Sequence, residues 1–245
     1  MDQKTLLIDL SNSRTKLGIT DGERVLEKRF LATRDLDPDS LRKVCARWRF
    51  GRVVLASVVP KKAAGAREVF GERLLEVNAE CRLGFGFDYP DPGSIGADRL
   101  ANAAALAQRF GGRSLAVDFG TAVTFDVMDE GPVFAGGVIA PGVDLMSDYL
   151  HERTALLPRV SGLEAVEPVG KSTVQAIKAG AYFGYAGMVR EILGRIRGAL
   201  GAGGVFPVVA TGGYAEIVSA QLPEITTVDP DLTLDGLRIL ANLNR

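Results

Sequence analysis

The 245-residue sequence predicts an α/β protein made of two similar lobes facing each other across a cleft. Three observations carry that expectation. A short apolar strand, Thr5 to Asp9, ends in a carboxylate, turns through Ser11, Asn12 and Ser13, and resumes at Lys16 as a return strand. The same event recurs 109 positions later: Ser114 to Asp118 runs into Phe119-Gly120-Thr121-Ala122 and returns through Thr124 to Met128. Segments of helical period lie between and after the two copies, as in α/β folds. Two copies are too few for a solenoid. They suit paired lobes, residues 1–112 and 113–245.

In chain order, Lys16 to Ile19 and Arg24 to Phe30 alternate apolar with polar residues, so the chain opens as a three-stranded antiparallel meander. Asp37 followed by Pro38 is a helix start, a capping carboxylate with a first-turn proline. Leu41, Val44, Cys45 and Trp48 give that helix its buried stripe. Val53 to Val58 is an apolar run rich in valine, as expected of a strand covered on both faces. Lys61 to Leu75 and Ala101 to Phe110 read as helices. In the second copy Val133 to Ala135 forms the third strand, and Val143 to Leu150 a helix. A long helix follows from about Thr173 to Ile196. Its Gly180, Gly184 and Gly187 lower helix propensity, which points to close packing on another helix, one across a dimer included. A strand from Val205 to Ala210 leads into Thr211-Gly212-Gly213.

Composition excludes several classes. The chain is 47% hydrophobic and 24% charged with a net charge of −1, so nothing draws it in bulk to nucleic acid or anionic lipid. The basic cluster Arg42, Lys43, Arg47 and Arg49 is the wet face of a helix. Two unpatterned cysteines, Cys45 and Cys81, argue for a reducing compartment and against a disulfide framework or a zinc site. The single histidine, His151, has no Cys or His companions at ligand spacing. No signal-length apolar segment follows Met1-Asp2-Gln3-Lys4, and no run reaches membrane-spanning length. The expected location is the cytoplasm, with no nucleic-acid or membrane partner.

The chemistry begins at the two acidic turns. A phosphate tail needs backbone N–H donors, small residues for close approach and a carboxylate to hold a cation. Asp9 with Ser11, Asn12, Ser13 and Lys16 offers that set, and Asp118 with Gly120 and Thr121 offers a second. Either turn alone reads equally as an ordinary hairpin with Asx-type hydrogen bonding. As a pair, each ending a comparable strand, they favour a nucleotide site that is neither a Walker loop nor a Rossmann glycine fingerprint. Between them, Tyr89-Pro90-Asp91-Pro92-Gly93-Ser94-Ile95-Gly96-Ala97-Asp98-Arg99 is a rigid loop entering a helix. An acid beside an arginine at a helix start pairs a general base with an anion clamp. By itself it reads as a capping Asp and a surface Arg. Thr211-Gly212-Gly213 and the stretch Gly136 to Gly142 add tight turns and bends.

In one order, then, the chain carries Asp9, Asn12 and Lys16; Ser57-Val58-Val59-Pro60; Gly96-Ala97-Asp98-Arg99; and Asp118-Phe119-Gly120-Thr121-Ala122 with Thr124 and Asp126. Gly136 to Gly142, Ser172-Thr173 and Thr211-Gly212-Gly213 follow. In this it resembles the type III pantothenate kinase family of the acetate kinase and actin-like superfamily, over nearly its whole length. The resemblance implies two RNase H-like (actin-like ATPase) lobes with mixed β-sheets flanked by helices. It also implies ATP-dependent phosphorylation of pantothenate to 4′-phosphopantothenate, the first step of coenzyme A biosynthesis, by a homodimer.

Carried over by position, the hairpin Asp9, Leu10, Ser11, Asn12, Ser13, Arg14, Thr15 and Lys16 would hold the ATP phosphates. Asp9 would lie near Mg2+, through water or phosphate. Asp98 would accept the proton of the pantothenate hydroxyl, and Arg99 would hold its carboxylate or fix the loop. Tyr89, Gly96 and Ala97 would line the pantothenate pocket, and Thr173 would complete it at the dimer interface. Asp118 would bind a monovalent cation, K+ or NH4+, and Thr121 would contact ATP. The family usually has Gly where this chain has Ser11 and Thr where it has Ser13. A side chain at position 11 would be strained if φ there were positive.

Two rivals stand beside this reading. One is a kinase for another small hydroxyl compound such as a sugar, against which Tyr89 and the Gly96–Arg99 loop speak. The other is a nucleotide-binding regulatory protein without turnover. Only Ser11 favours that one, while Lys16 and Asp98 count against it.

Overall fold

A computed structural model describes residues 4–201 and 206–245. The first half of the chain forms β1 (Thr5–Leu10), β2 (Arg14–Thr20), β3 (Val25–Ala32), α1 (Pro38–Cys45), β4 (Arg52–Ser57), α2 (Pro60–Phe70), β5 (Leu74–Glu76), β6 (Gly86–Phe87) and α3 (Ala97–Phe110). There follow β7 (Ser114–Phe119), β8 (Ala122–Asp129), β9 (Val133–Pro141), α4 (Val143–Arg153), α5 (Thr173–Ala199), β10 (Val208–Gly212), α6 (Ala215–Ser219), β11 (Thr227–Val228) and α7 (Leu232–Leu243). The chain divides into two compact units. One takes Met1–Gly112, Glu130–Gly136 and Asp231–Arg245, the other Arg113–Asp129 and Gly137–Pro230.

The first unit is built on a mixed sheet of order β3-β2-β1-β4-β5. β1 runs antiparallel to β2 and parallel to β4, with Asp9 opposite Lys16 on one side and Ala56 on the other. Leu6, Leu7, Ile8 and Leu10 are all buried, so β1 is covered on both faces. α1 starts as its sequence signals: Asp37 accepts from the Ser40 amide, Ser40 returns the bond, and Pro38 opens the first turn. Leu41, Cys45 and Trp48 point into the core. Burial pushes the Cys45 thiol up to about 11, which makes it a packing group rather than a nucleophile.

The other sheet has six strands in the order β11-β10-β7-β8-β9-β6, with β6 pairing the first residues of β9. β7 is antiparallel to β8 and parallel to β10, as β1 is to β2 and β4. Each acidic residue is the fifth of six in its strand, Asp9 in β1 and Asp118 in β7. Where Asp9 faces Lys16, Asp118 faces Thr124. The repeat seen in the sequence is therefore a repeat of sheet topology, and the α/β fold with two mixed sheets flanked by helices holds.

Several boundaries move. The helix read from Lys61 to Leu75 is α2, which stops at Gly71 because that residue takes φ +54°, and Leu74–Glu76 is a strand. β9 continues to Pro141, through the glycines read as a bend, with Gly136 at φ +113°. α3 begins four residues earlier than the apolar pattern suggests, so Asp98 and Arg99 lie inside its first turn. The strand read from Val205 is β10 and starts at Val208; Val205 itself lies outside the described residues. The reading above carries the second lobe to residue 245, whereas Asp231–Arg245 belongs to the first unit. There α7 packs on α3, with Gly236 against the Ala101 carbonyl and the Thr233 hydroxyl bonded to Asn102.

Candidate functional site

In the first unit the ends of β1 and β4 and the start of α3 converge. The Val58 amide donates to the Leu10 carbonyl, and a Val58 methyl lies against Gly96. Asp9, only 3% exposed, accepts from the Ser11 hydroxyl at 2.7 Å and faces the Lys16 ammonium at 3.8 Å. Burial raises the pKa of Asp9, Lys16 and Ser11 pull it back, and the neighbouring Asp98 raises it again. The turn is tied to the strand beyond it: Thr33 donates its hydroxyl to the Ser11 carbonyl and its amide to the Ser13 carbonyl. Asn12, Ser13 and Arg14 are exposed, with the Arg14 guanidinium 4.4 Å from the Phe30 ring centre. Leu10 and Thr15 turn their side chains into the core, so only their backbone can serve a ligand.

Asp98 is the second residue of α3, and its carboxylate accepts from the Arg99 amide at 2.8 Å. Burial is the largest influence on it and raises its pKa, with Arg99 acting in the opposite direction. A Cβ on Gly96 would stand 2.6 Å from the Asp98 carboxylate, so glycine there makes room for the acid. Arg99 is 8% exposed and lies 5.5 Å from the Phe134 ring centre. Tyr89 meets the same ring edge-on at 5.9 Å. The sequence-predicted residues Asp9, Ser11, Lys16, Asp98, Arg99 and Tyr89 are thus all furnished by this one unit.

Ser11 has an ordinary backbone, since no described non-glycine residue takes a positive φ. The strain that a side chain at this position would bring is absent, and its hydroxyl holds the Asp9 charge. If this turn holds ATP phosphates, as the resemblance implies, Ser11→Gly should raise the KM for ATP about 3- to 10-fold, on the order of 1 kcal/mol for a part-exposed bond to a charge. The increase should grow as pH falls, because Asp9 without its donor protonates sooner. ATP and pantothenate titrations of the variant check this; a change in the pantothenate KM alone would contradict it.

In the second unit Asp118 lies against Gly212, where a Cβ would stand 2.5 Å from its carboxylate and φ is +93°. The Thr121 turn is closed by the Gly142 amide, which donates to the Thr121 carbonyl at 3.1 Å. A Cβ on Gly142 would sit 2.3 Å from that carbonyl. Gly212 and Gly142 are therefore required by close backbone approach. Around them stand residues with no assigned role in the sequence reading. Tyr214 donates to Asp144 at 2.8 Å, and its phenol is pushed up to about 12 by burial and that carboxylate. Tyr185 packs on Phe119, and burial, with Asp118, Asp144 and Tyr214 nearby, pushes its phenol up. The hydroxyls of Tyr185 and Thr211 are buried without a hydrogen-bond partner. No sequence signal marks Tyr185, which reads as one more apolar residue of a helix; Tyr214 follows Thr211-Gly212-Gly213 directly.

Those orphaned hydroxyls test the fit of a small cation. Thr211 is the register partner of Asp118 on the adjoining strand, and Tyr185 is within its electrostatic reach. A carboxylate with hydroxyl oxygens is the donor set of a hard cation, and a buried hydroxyl left without a partner costs about 1–3 kcal/mol. The residues fit. No group of three or more His, Cys, Asp or Glu that could hold a metal occurs among the described residues. A magnesium at Asp9 would take its remaining oxygens from phosphate and water, as is usual for that ion.

Thr173 opens α5 behind the Ser172 cap, which accepts from the Gln175 amide. It lines a cavity of about 580 Å³ with Met146, Tyr149, Leu150 and Ile177. Among the described residues, nothing beyond their own helix turn lies within 4 Å of where a Cβ on Gly180, Gly184 or Gly187 would stand. The helix–helix packing expected of them is not made among the described residues.

Comparison with known proteins gives the family. A family model described as type III pantothenate kinase matches residues 5–195. A type III pantothenate kinase of Akkermansia muciniphila is 46% identical over 98% of both chains. Another, of Methylacidiphilum infernorum, is 41% identical over 97% of this chain and 88% of its own. Among solved structures, a conserved putative Baf family transcriptional activator from Campylobacter jejuni aligns with a TM-score of 0.60 at 18% identity, covering 97% of each chain. A putative sugar kinase from Cytophaga hutchinsonii aligns with a TM-score of 0.52 at 12% identity, over 98% of this chain and 99% of that one. These two likenesses speak for the fold alone.

Proposed function

The chain belongs to the type III pantothenate kinase family, and from that premise we propose how its own residues carry the reaction. The protein transfers the γ-phosphoryl group of ATP to the primary hydroxyl of pantothenate, giving 4′-phosphopantothenate and ADP at the entry to coenzyme A biosynthesis. The observation that carries the assignment of roles is the half-buried Asp98 in the first turn of α3, its pKa raised by desolvation, beside Arg99 and within reach of Asp9.

Asp98 takes the proton of the substrate hydroxyl as its oxygen attacks the γ-phosphorus; the bond to the β–γ bridging oxygen breaks and ADP leaves. The Asp9–Lys16 hairpin orients the phosphates, with Lys16 supplying positive charge and the exposed turn its amides. Bound magnesium would neutralise charge on the transferring group, and Asp9 is the residue that would hold it. Tyr89, Gly96, Ala97 and Arg99 receive pantothenate, Arg99 at its carboxylate. Thr121 contacts ATP. The unstrained Ser11 removes the one feature that favoured a protein without turnover.

Asp118, with the Thr211 and Tyr185 hydroxyls, would hold a monovalent cation, K+ or NH4+, that offsets charge at the strand end. The face bearing Thr173 joins two copies. Tyr149, Val174 and Phe183 are exposed there, and the α5 glycines are open to a partner helix. Its two cysteines are free, as a cytoplasmic protein's would be.

A coupled ADP-release assay with pantothenate and a panel of sugars tests the substrate. Turnover should require pantothenate and K+ or NH4+, and Asp118→Ala should abolish the difference between K+ and Na+ buffers. Addition of K+ in the presence of ATP should also raise the Tm of the native protein and not of the variant. Equal rates in K+ and in a bulky tetraalkylammonium salt would sink the cation assignment, and turnover on a sugar alone the substrate.

A further inference from the structure

Phe134 is fully buried, and beside the core rings of Phe85 and Phe87 it meets two groups of the candidate site. The Arg99 guanidinium lies 5.5 Å from its centre, and Tyr89 meets it edge-on at 5.9 Å with 71° between the planes. Phe87 closes another side at 6.3 Å. The backbone anchors the same place: Phe134 is the register partner of Phe87, and its carbonyl accepts from the Asp88 amide at 3.0 Å. Two residues on, Gly136 takes φ +113° and leaves the Tyr89 ring 3.7 Å from where a Cβ would stand. One aromatic ring thus touches both the arginine of the helix start and the tyrosine of the loop before it.

We propose that Phe134 is a positioning residue for acid recognition, setting Arg99 and Tyr89 against each other so that the pocket selects a substrate bearing a carboxylate. The inference rests on the reading of Tyr89 and Arg99 as pantothenate residues. The physical basis is the ring quadrupole. Its negative face attracts the guanidinium, and its positive edge and flat sides fix the angle of the neighbouring ring. A buried arginine needs such a surface, because its planar group stacks where an ammonium would not. An aliphatic side chain of similar volume would fill the space without supplying either direction. Arg99 would then keep its charge and its other partners but lose the part of its orientation that the ring supplies, and misplacement of a binding group by about 1 Å is costly.

The test compares Phe134→Leu, Phe134→Tyr and Arg99→Lys with the unaltered enzyme, using pantothenate and its primary carboxamide analogue. Phe134→Leu should raise the KM for pantothenate about 5- to 30-fold while leaving that for ATP within about twofold. Its preference for pantothenate over the carboxamide should shrink by the same factor. Phe134→Tyr, which keeps the ring, should restore most of both. If leucine does not fold, Phe134→Met fills the same space with a flexible chain and carries the same expectation. Equal rises in both KM values, or an unaltered carboxylate preference in the leucine or methionine variant, would overturn the proposal and leave Phe134 a packing residue. If Arg99→Lys leaves the carboxylate preference intact, the pocket assignment itself is wrong and the proposal falls with it. A preference lost in Arg99→Lys but kept in Phe134→Leu removes the Phe134 inference alone.

Discussion

Asp98→Asn is expected to lower kcat by roughly 10²–10⁴-fold, the range for a lost general base, with the KM for ATP nearly unchanged. Asparagine keeps the shape and can still accept from the Arg99 amide, so the first turn of α3 should form as before. The same variant should be slightly more stable at neutral pH. Burial raises the folded pKa of Asp98 above the ordinary 3.8, so the folded protein holds that proton more tightly than the unfolded chain. Stability therefore falls as pH rises from 3.8 through the raised value, and at neutral pH the whole penalty of the buried charge is present. Asparagine removes it. Opposite movements of Tm and kcat would be hard to obtain from a misfolded variant. For the unaltered enzyme the acid limb of kcat/KM should lie above the usual carboxylate range, since Asp98 must be ionised to act. Retention of more than about a third of the activity would exclude Asp98 as the base.

How much of this was legible in the sequence depends on the range of the interaction. The strand–acid–turn event at Asp9 and again at Asp118 is local, written in an apolar run, a carboxylate and small polar residues, and the structure repeats it down to the position in the strand. Capping at Asp37 is local in the same way. The residues that escaped are those whose roles come from distant partners. Phe134 is one apolar residue in a short strand until Tyr89 and Arg99 arrive from elsewhere in the chain. Tyr185 sits on a helix rich in alanine and glycine and reads as core, which it is, except for an orphaned hydroxyl near Asp118. Only coordinates show that a buried phenol lacks a partner. α7 is a third case. Leu232, Leu234, Leu237, Ile239, Leu240 and Ala241 are buried around most of the helix, and Asp235, Arg238 and Asn242 form only a narrow polar stripe, which marks a helix but not the sheet it covers. Nothing local reveals that it belongs with the first unit.

That misplaced helix leads to the second large effect. Gly236→Ala should destabilise the protein by about 2–4 kcal/mol, mainly through overpacking. In α7 a Cβ at position 236 would stand 1.9 Å from the Ala101 carbonyl oxygen and 2.5 Å from its carbon. Both belong to backbone, so neither can rotate away. On helix propensity alone the change is favourable by up to about 1 kcal/mol. The steric term wins because relief requires α3 and α7 to separate, which breaks the packing of Leu237 and Leu240 and strains the buried Thr233–Asn102 bond. At about 2–4 °C per kcal/mol for a chain of this size, the Tm should fall by roughly 4–16 °C. Ala101 lies only three residues after Asp98, so the displacement also reaches the proposed base, and kcat should fall further than unfolding explains. Gly194→Ala is the matched control. Gly194 lies in α5 with nothing within 4 Å of where its Cβ would stand, and there alanine should stabilise by about 0.5–1 kcal/mol. Thermal and urea denaturation of the two variants decides the matter: if Gly236→Ala is as well tolerated as Gly194→Ala, the contact between α3 and α7 is looser than the structure shows.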